Sequence, residues 1–237
     1  FLGNRGLMKK KNISISSFQE IAERLENEGK TVMFLGRLKN IVGIVAVSDV
    51  LKEGSLETVD ILKKQNIDVW MVTGDNERTA LAIANASGIS NVLAGVLPDQ
   101  KASKIQELKE KIKLHNKNNA VAFVGDGVND APALASADVG IAMGTGTDVA
   151  IESAGITLLN KDLRSVVAAL DLSRKTMKII KQNLFWAFGY NVILIPVAVG
   201  VLYPLGITLS PALASFAMAA SSISVVANSL RLRKIKI

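Results

Sequence analysis

Hydrophobic and polar positions follow a mixed pattern over the first forty residues. In the stretch SFQEIAERLENEG, the side chains of Phe18, Ile21 and Leu25 recur at helical spacing, which predicts an amphipathic helix. Two apolar runs come next, KTVMFLG and IVGIVAVSD, and the polar residues RLKN lie between them. Apolar runs separated by so short a polar segment predict a β-hairpin.

From about Ile41 the pattern changes to short, uniformly apolar runs that alternate with amphipathic stretches. The predicted strands are IVGIVAVSD, DVWMVTGD, NVLAGV and AVAFVGD, and the predicted helices are GSLETVDILKKQN, ERTALAIANASG, PDQKASKIQELKEKIK and APALASA. Apolar strands that are each followed by a helix indicate an α/β fold, a Rossmann-type parallel sheet with helices on both faces. Ligands bind such sheets at the carboxyl ends of the strands, where TGD and GDGVND are found.

The last third of the chain contains a long interval without charge. No charged residue occurs between Lys181 and Arg231, which leaves room for two membrane-spanning helices of roughly 20 residues each. The segment YPLG interrupts this interval midway and predicts the turn of an α-helical transmembrane hairpin. Asp162 is predicted to cap the long helix that leads into it.

These patterns predict five regions along the chain. An N-terminal region at 1–40 precedes the α/β domain at 41–165, and a juxtamembrane helix follows at 166–183. Two transmembrane helices occupy 184–230, and the chain ends in a basic cytoplasmic tail at 231–237.

Charge and composition narrow the range of partners. The formal net charge is +7, and many of the lysines and arginines lie on either side of the uncharged interval. This placement fits cytoplasmic anchoring of a membrane hairpin better than a phosphate-backbone footprint, so nucleic acid is not an expected partner. The chain has no cysteine, which excludes disulfides and thiolate metal sites within it. The segment Phe1 to Lys11 lacks the apolar core of a cleavable secretory signal.

Two carboxylates, Asp126 and Asp130, lie close together in GDGVND after the strand AVAFVGD. Mg²⁺ commonly binds one or two carboxylates together with phosphate oxygens and water, so the pair predicts a magnesium site. Asn129, between them, can donate a hydrogen bond to an anion at the same rim. The alternative is a pair of acids that cap helices.

A second cluster lies at another strand end, in VTGDN. The Thr73 hydroxyl and the Gly74 amide can hold a phosphoryl oxygen, with Asp75 beside them, although an ordinary turn with a helix cap is the alternative. Lys101 in PDQK is a cation suited to a phosphoryl group, although a lone lysine is usually a surface residue. A hydroxyl, a lysine and paired acids from successive strand ends together predict a phosphoryl-transfer site.

The segments TGDN, PDQK and GDGVNDAPAL, in this order, resemble the phosphorylation domain of P-type ATPases, members of the haloacid-dehalogenase superfamily. The resemblance implies a haloacid-dehalogenase-like fold and an aspartyl-phosphate cycle that uses ATP and Mg²⁺. The roles that it implies are Mg²⁺ ligand for Asp126, supporting partners for Asp130 and Asn129, phosphate contacts for Thr73 and Gly74, and stabiliser of the phosphoryl group for Lys101.

One feature of that family is missing. Its phosphorylated aspartate lies in a DKTGT segment, which also provides the central strand of the sheet, and no such segment occurs here. The resemblance therefore implies that this aspartate lies upstream of Phe1, and that the chain is the C-terminal part of a longer pump and inactive alone. GNRGLM is similar to the end of the nucleotide-binding domain in heavy-metal P-type ATPases. This implies Gly3 and Asn4 as ATP contacts, with a plain turn as the alternative.

Polar side chains within the uncharged interval point to a cargo. Polar groups in a bilayer are costly, so their presence there suggests a function. The candidate ligands of a transported ion are Tyr190, Asn191, Met218, Ser221 and Ser222. For the serines, the alternative is close packing between helices. A thioether beside amide and hydroxyl oxygens, with no carboxylate, suits a soft monovalent ion. The Tyr-Asn pair and the Met-x-x-Ser-Ser motif also resemble the copper-exporting subgroup of P-type ATPases. This implies Cu(I) or Ag(I) as transported ion, a cytosolic copper chaperone as partner, and a multi-pass protein of the cell membrane.

The sequence leaves three functions open. The first is part of an ATP-driven Cu(I)/Ag(I) exporter of the P-type. The second is a membrane-tethered, Mg²⁺-dependent phosphatase of the haloacid-dehalogenase type, for which Asp49 is the candidate nucleophile, although it lacks the expected DxT/V continuation. The third is a non-catalytic partner of a full-length pump.

Overall fold

The computed structural model describes most of the chain, in five stretches: residues 1–48, 51–126, 130–144, 152–206 and 210–234. Two residues that the sequence analysis singled out, Asp49 and Asn129, lie outside them. The chain divides into two compact units, Phe1–Val167 and Ala168–Ile237, and each is described by itself.

Eight strands and eight helices are present among the described residues. The strands are β1 (Leu2–Gly3), β2 (Lys30–Arg37), β3 (Asn40–Ser48), β4 (Trp70–Val72), β5 (Asn91–Leu93), β6 (Ala122–Gly125), β7 (Val139–Met143) and β8 (Ile156–Leu158). The helices are α1 (Arg5–Lys10), α2 (Gln19–Asn27), α3 (Ser55–Lys64), α4 (Glu77–Ala86), α5 (Lys101–His115), α6 (Ala131–Ser136), α7 (Arg164–Ala198) and α8 (Pro211–Leu230).

The N-terminal part of the first unit is an antiparallel sheet in the order β1-β2-β3. Strands β2 and β3 form the predicted hairpin, with Lys30 opposite Ser48 at its open end. Strand β3 therefore pairs with β2 along its whole length, and the predicted boundary at residues 40 and 41 falls within this hairpin. The sequence analysis assigned this run to the parallel region because its apolar composition does not distinguish a hairpin strand from a parallel one.

Helix α2 packs on this sheet with a face that differs from the predicted one. Phe18 and Leu25 contact the core as predicted, but Ile21 is 42% exposed, and the buried positions of the helix are Ala22 and Glu26. Glu26 is tolerated there because both of its oxygens accept hydrogen bonds from Arg5, at 3.1 Å each. The ion pair shifts the buried face of the helix toward Glu26 and away from Ile21.

The rest of the first unit contains parallel strands in two groups, β4-β5 and β6-β7-β8. No backbone ladder joins β4 to β6 among the described residues. The prediction of parallel strands followed by helices is confirmed, but the described residues form two groups where one sheet was expected. The difference agrees with the sequence analysis, which assigned the central strand to a DKTGT segment that the chain does not contain.

A compact core fixes the elements around β6. Ile105 of α5, Phe123 of β6, Leu134 of α6 and Ala142 of β7 are buried against one another, and Val72 of β4 packs on the same cluster. This packing holds the start of α5 and the carboxyl ends of β4 and β6 in place. Those are the positions where the candidate site residues lie.

The second unit contains an antiparallel pair formed by α7 and α8. Asn183 donates to Ser229 at 2.8 Å, and the Tyr190 and Ser224 hydroxyls lie 3.4 Å apart, so α8 runs back along α7. The predicted turn at YPLG is confirmed, since a short 3-10 helix covers Tyr203–Leu205. Asp162 accepts the Arg164 amide at 2.9 Å, which confirms the predicted cap of the long helix.

Among the described residues, one helical segment is long and apolar enough to cross a membrane, by length and composition alone. It is Pro211–Arg233, which includes α8. The first predicted span lies in α7, a continuous 35-residue helix whose earlier turns carry the charged juxtamembrane residues. The two-helix transmembrane hairpin therefore stays a prediction.

Candidate functional site

The candidate site at the carboxyl end of β6 is centred on Asp130. Its carboxylate accepts a hydrogen bond from Lys101 at 2.7 Å, and the side chains of Lys101 and Asp130 are 19% and 14% exposed. Asp130 lies against Gly125, where an added Cβ would come within 2.9 Å of the Asp130 carboxylate. Glycine at this position therefore lets the Asp130 carboxylate approach the end of the strand. The structure brings two predicted site residues, 29 positions apart in sequence, into a short ion pair.

Asp126 follows β6 directly and has a more open environment. Its side chain is 46% exposed, and two lysines approach it, Lys52 at 3.6 Å and Lys161 at 3.9 Å. Neither contact is as short as a charge-assisted hydrogen bond, which is typically 2.7–2.9 Å. The carboxylate is therefore accessible to a ligand, and the two lysines give its surroundings a positive charge.

The cluster after β4 is organised by hydrogen bonds to Asp75. The Thr73 hydroxyl donates to one Asp75 oxygen at 2.9 Å and accepts the Asp75 amide at 3.1 Å. The other Asp75 oxygen accepts the Thr31 hydroxyl at 3.2 Å, a contact from the start of β2. Gly74 is exposed between them. Asn76, not Asp75, caps α4 by accepting the Thr79 amide at 3.1 Å.

Among the described residues, no hydrogen bond or ion pair joins the two clusters, although β4 and β6 both pack on the core around Phe123. Asp126, Asp130 and Lys101 form one group, and Thr73, Gly74 and Asp75 form the other. Asn129 lies outside the described residues, so its predicted role has no structural account.

The side chains that could coordinate a metal ion here can be compared with the ligands that Mg²⁺ prefers. Within the described ranges, no group of three or more aspartate, glutamate, histidine or cysteine side chains converges on one point. Two carboxylates at one strand end, one of them well exposed, nevertheless fit an ion that takes one or two carboxylates and completes its shell with water and phosphate. Asp126 and Asp130 are therefore the residues that would hold it.

Gly3 and Asn4 have local structural roles in the N-terminal sheet. The Asn4 side chain caps α1 by accepting the Leu7 amide at 3.0 Å. Gly3 pairs with Phe34 in the β1-β2 ladder, and the Leu7 side chain occupies the place where a Cβ would be. This matches the alternative of an ordinary structural turn, and the ATP contact predicted for these residues stays a prediction.

The candidate cargo residues have different orientations on the helix pair. Tyr190 lies toward α8, within 3.4 Å of Ser224. Asn191 is exposed and donates to the Ala187 carbonyl of its own helix at 2.8 Å. Met218 is 71% exposed, and the exposed Ser222 donates to its carbonyl at 3.2 Å, which confirms that the two share a helical face. Ser221 is partly buried.

Sequence reasoning missed an amide cluster that joins the two helices. The Asn228 side chain donates to Asn183 at 2.8 Å and to Gln182 at 3.3 Å, and Arg231 donates to Asn228 at 3.0 Å. These residues fix the register of α7 and α8 near the charged end of the pair. Their signal was available, since amides at the edge of an uncharged interval need partners.

Comparison with known proteins places this fold in a family. A family model described as a haloacid dehalogenase-like hydrolase matches residues 1–138, which is more than half of the chain. The chain belongs to the haloacid dehalogenase-like hydrolase family. The matched residues include both strand-end clusters, and the predicted haloacid-dehalogenase-like α/β fold is confirmed.

Curated relatives of this haloacid dehalogenase-like hydrolase are named as metal exporters. A probable copper-exporting P-type ATPase of Archaeoglobus fulgidus is 53% identical over 98% of this chain and 28% of its own length. A silver exporting P-type ATPase of Salmonella typhimurium is 48% identical over 100% of this chain and 28% of its own length. The resemblance to copper-type P-type ATPases is thus confirmed, and the chain spans about a quarter of the length of these relatives.

A solved structure agrees with the same family. The crystal structure of a zinc-transporting PIB-type ATPase in the E2.Pi state is similar with a TM-score of 0.73 and 36% identity. The similarity covers 93% of this chain and 34% of that one. At this identity the likeness extends beyond the fold to the sequence.

Three residues near the clusters of this haloacid dehalogenase-like hydrolase were absent from the sequence prediction: Thr31, Lys52 and Lys161. Lys52 lies four residues after the end of β3, but this strand pairs antiparallel with β2, so the strand-end rule for parallel sheets does not select it. Thr31 and Lys161 reach the clusters through long-range packing and had no signal in the sequence either.

Proposed function

We propose that this chain is part of an ATP-driven Cu(I)/Ag(I)-transporting P-type ATPase. In this proposal the phosphorylated aspartate comes from a segment outside these 237 residues. The observation that carries the proposal is the Lys101–Asp130 pair, at 2.7 Å, beside the exposed Asp126 at the carboxyl end of β6. The relatives named as copper and silver exporters support the same assignment.

The chain's own residues would position and neutralise the transferred phosphoryl group. Lys101 holds Asp130 against Gly125, so one carboxylate keeps a fixed place at the strand end. Asp126 remains open to a ligand, and with Asp130 it would hold Mg²⁺, which neutralises negative charge on a phosphoryl group. Catalysis of phosphoryl transfer consists largely of such positioning and electrostatic stabilisation.

The cluster after β4 would supply hydrogen bonds to the phosphoryl oxygens. The Thr73 hydroxyl is held by Asp75, and the exposed Gly74 leaves its amide approachable. Thr31 fixes the second oxygen of Asp75, so this carboxylate orients the threonine. In the proposed pump, Gly3 and Asn4 would lie near the nucleotide while keeping their structural roles in the N-terminal sheet.

The cargo assignment uses the geometry of the helix pair. Asn191 is one residue, or about 100°, from Tyr190, which lies toward α8. On α8, which runs antiparallel to α7, Met218 and Ser222 are rotated from Ser221 in the same sense along the chain as Asn191 is from Tyr190. The side chains of Asn191, Met218 and Ser222 therefore occur on one side of the helix pair. A thioether, an amide and a hydroxyl on one side form part of a site for a soft ion such as Cu(I) or Ag(I). The partly buried Ser221 and Tyr190 would support it from the interface between the helices.

A membrane location and its partners belong to the same proposal. The apolar segment Pro211–Arg233 would cross the bilayer, and the uncharged half of α7 would form the other span of a multi-pass protein of the cell membrane. A cytosolic copper chaperone would deliver the ion. This is an expectation from the resemblance, and no described contact bears on it.

The test is ATP hydrolysis by a protein in which this chain is joined to its DKTGT-bearing segment. Hydrolysis should require Mg²⁺ and should rise with Cu(I) or Ag(I) but not with Zn²⁺. Met218→Leu keeps the apolar volume and removes the sulfur, so it should raise the Cu(I) concentration needed for half-maximal stimulation at least about tenfold, since the loss of a group that only supports a ligand already costs about 10–100-fold. The matched control is Met33→Leu, the same substitution in β2, outside the helix pair and outside both strand-end clusters. Equal stimulation by Cu(I) and Zn²⁺, or no effect of Met218→Leu, would overturn the cargo assignment.

A further inference from the structure

Helix α7 carries cations and aromatic side chains around one surface cavity, just before its uncharged stretch. The cavity has a volume of about 630 Å³ and lies wholly on residues of the second unit. The residues that matter in its lining are Arg174, Met177, Lys178, Lys181, Phe185 and Trp186. They recur at intervals of three and four positions, so they share one side of the helix.

The cations of this cavity carry unneutralised charge. In the described part of the chain, neither Lys178 nor Lys181 forms an ion pair or a hydrogen bond, whereas Arg174 lies 4.0 Å from Asp171. In the part of the chain that the structure describes, no carboxylate side chain lines the cavity. The site therefore has a net positive charge and favours an anion.

The other side of the cavity is apolar and exposed. Phe185 and Trp186 are 69% and 48% exposed, and their rings contact each other edge to face at 5.6 Å between centroids. A free inorganic anion would leave this apolar surface in water. A ligand that joins an anionic group to a hydrocarbon chain would use both halves of the cavity.

We propose that this cavity binds an anionic phospholipid, with its phosphate on Lys178 and Lys181 and its glycerol and upper acyl region on Phe185 and Trp186. The inference rests on the proposed membrane location. Lys178 and Phe185 are seven residues, or about 10 Å, apart along the helix. This is close to the depth of one headgroup zone, roughly 5–8 Å, so cations and aromatic rings would meet the two levels of one lipid. Tryptophan is also one of the two aromatic residues, with tyrosine, that are enriched at that level.

The test uses Trp186 as a local reporter of bound lipid. The chain contains two tryptophans, so Trp70→Phe leaves Trp186 alone. The Trp70→Phe chain is reconstituted into phosphatidylcholine vesicles that contain a fraction of brominated phosphatidylcholine or brominated phosphatidylglycerol. Bromine quenches tryptophan fluorescence only at short range, so the ratio of the two quenching curves gives the relative affinity of the site for the anionic lipid.

The anionic lipid is expected to quench Trp186 several-fold more effectively than the zwitterionic one. Replacing one lysine near an anionic surface should lower this preference about fivefold, so Lys178→Gln with Lys181→Gln should bring the ratio close to one. Lys175→Gln is the matched control, since Lys175 lies on the same helix but outside the cavity lining. It should keep the preference. Circular dichroism of each variant shows whether helix content is retained.

The outcomes separate this inference from the function on which it rests. Quenching by neither lipid would mean that Trp186 is outside the bilayer, which contradicts the membrane location itself. Equal quenching by both lipids, or an equal loss of preference in Lys175→Gln, would leave the membrane location intact and overturn the lipid site. Millimolar inorganic phosphate that removed the preference would show that the cavity takes soluble phosphate, and this too would overturn the proposal.

Discussion

The two ends of strand β6 carry the same combination of charges but use it differently. At the amino end, Asp138 accepts the Val121 amide at 3.0 Å and faces Lys113 at 2.8 Å and Lys109 at 3.3 Å. At the carboxyl end, Asp126 faces two lysines only at 3.6 and 3.9 Å. One carboxylate is closed by hydrogen bonds and the other is open to a ligand.

The difference appears in the titration of Asp138. The pKa of this carboxyl is lowered from 3.8 to about 2, because the carboxylate accepts hydrogen bonds from Lys113, from the Val121 amide and from Lys109. Its side chain is 21% exposed, compared with 46% for Asp126. The carboxylate at the amino end is thus fixed by hydrogen bonds, whereas the one at the carboxyl end is accessible, and the proposed function uses that end for binding, as is usual for parallel sheets.

The largest expected effect comes from substituting the carboxylate at each end of β6 and comparing the loss of phosphoryl transfer with the loss of stability. In the complete ATPase of the proposed function, Asp126→Asn should lower Mg²⁺-dependent phosphoryl transfer at least about 100-fold, because it removes a charge from the reaction centre. The free energy of unfolding should change by less than about 0.5 kcal/mol, since the carboxylate is exposed and has no short contact. Rates of phosphoenzyme formation and urea unfolding measure the two effects. Asp138→Asn is the control, with the opposite pattern, and a stability loss of equal size in both variants would contradict the comparison.

The second effect is a dependence of stability on pH. The pKa of Asp138 is lower in the folded chain than in the unfolded one, so its contribution is present above pH 4 and is lost as the pH falls toward 2. The contribution is between about 1 and 2 kcal/mol, because a partly exposed carboxylate is screened by solvent.

Urea unfolding of the chain in detergent, followed by Trp70 fluorescence in a Trp186→Phe background, can measure this contribution. At pH 7, Asp138→Asn should be less stable than the parent by that amount, and the gap should close between pH 4 and pH 2. A gap that stays constant over this range would show that the loss comes from packing and not from the charge.

The positions of Thr73 and Asp126 could be predicted from the sequence, whereas Asp138 was not singled out. Uniformly apolar runs identified β4, β5 and β6, and the strand-end rule placed Thr73 and Asp126 where the structure has them. Such predictions succeed because strand periodicity and the direction of parallel strands are local properties of the chain.

The pairing of the side chains could not be predicted in the same way. Lys101 and Asp130 are 29 positions apart, and Thr31 and Asp75 are 44 positions apart, so local pattern carries no information on either contact. The face of α2 was misjudged for a related reason, since burial of Glu26 depends on Arg5, 21 positions away. Tertiary contacts overrode helical periodicity there.

The helix pair shows the same limit. The uncharged interval predicted the helices and their turn, but it did not show that Tyr190 lies toward the partner helix while Met218 is exposed. Orientation about a helix axis depends on which face meets the neighbouring helix, and both helices are apolar on most sides. The amides at the charged end, such as Asn183 and Asn228, are polar residues that mark the contact face.

The smallest effect compares one lysine at each end of β6. Lys113→Gln should lower the free energy of unfolding by about 0.5 kcal/mol, because it removes a 2.8 Å contact with a well-bonded carboxylate. Lys52→Gln removes a 3.6 Å contact between two exposed side chains and should cost less than about 0.3 kcal/mol. Hydrogen exchange of the Val121 amide with solvent gives an independent readout. This amide donates to Asp138, so its hydrogen should exchange faster only in Lys113→Gln. If both substitutions cost the same and leave Val121 unchanged, the lysines at the amino end act only as surface charges, and the closed state of Asp138 must come from the backbone amide alone.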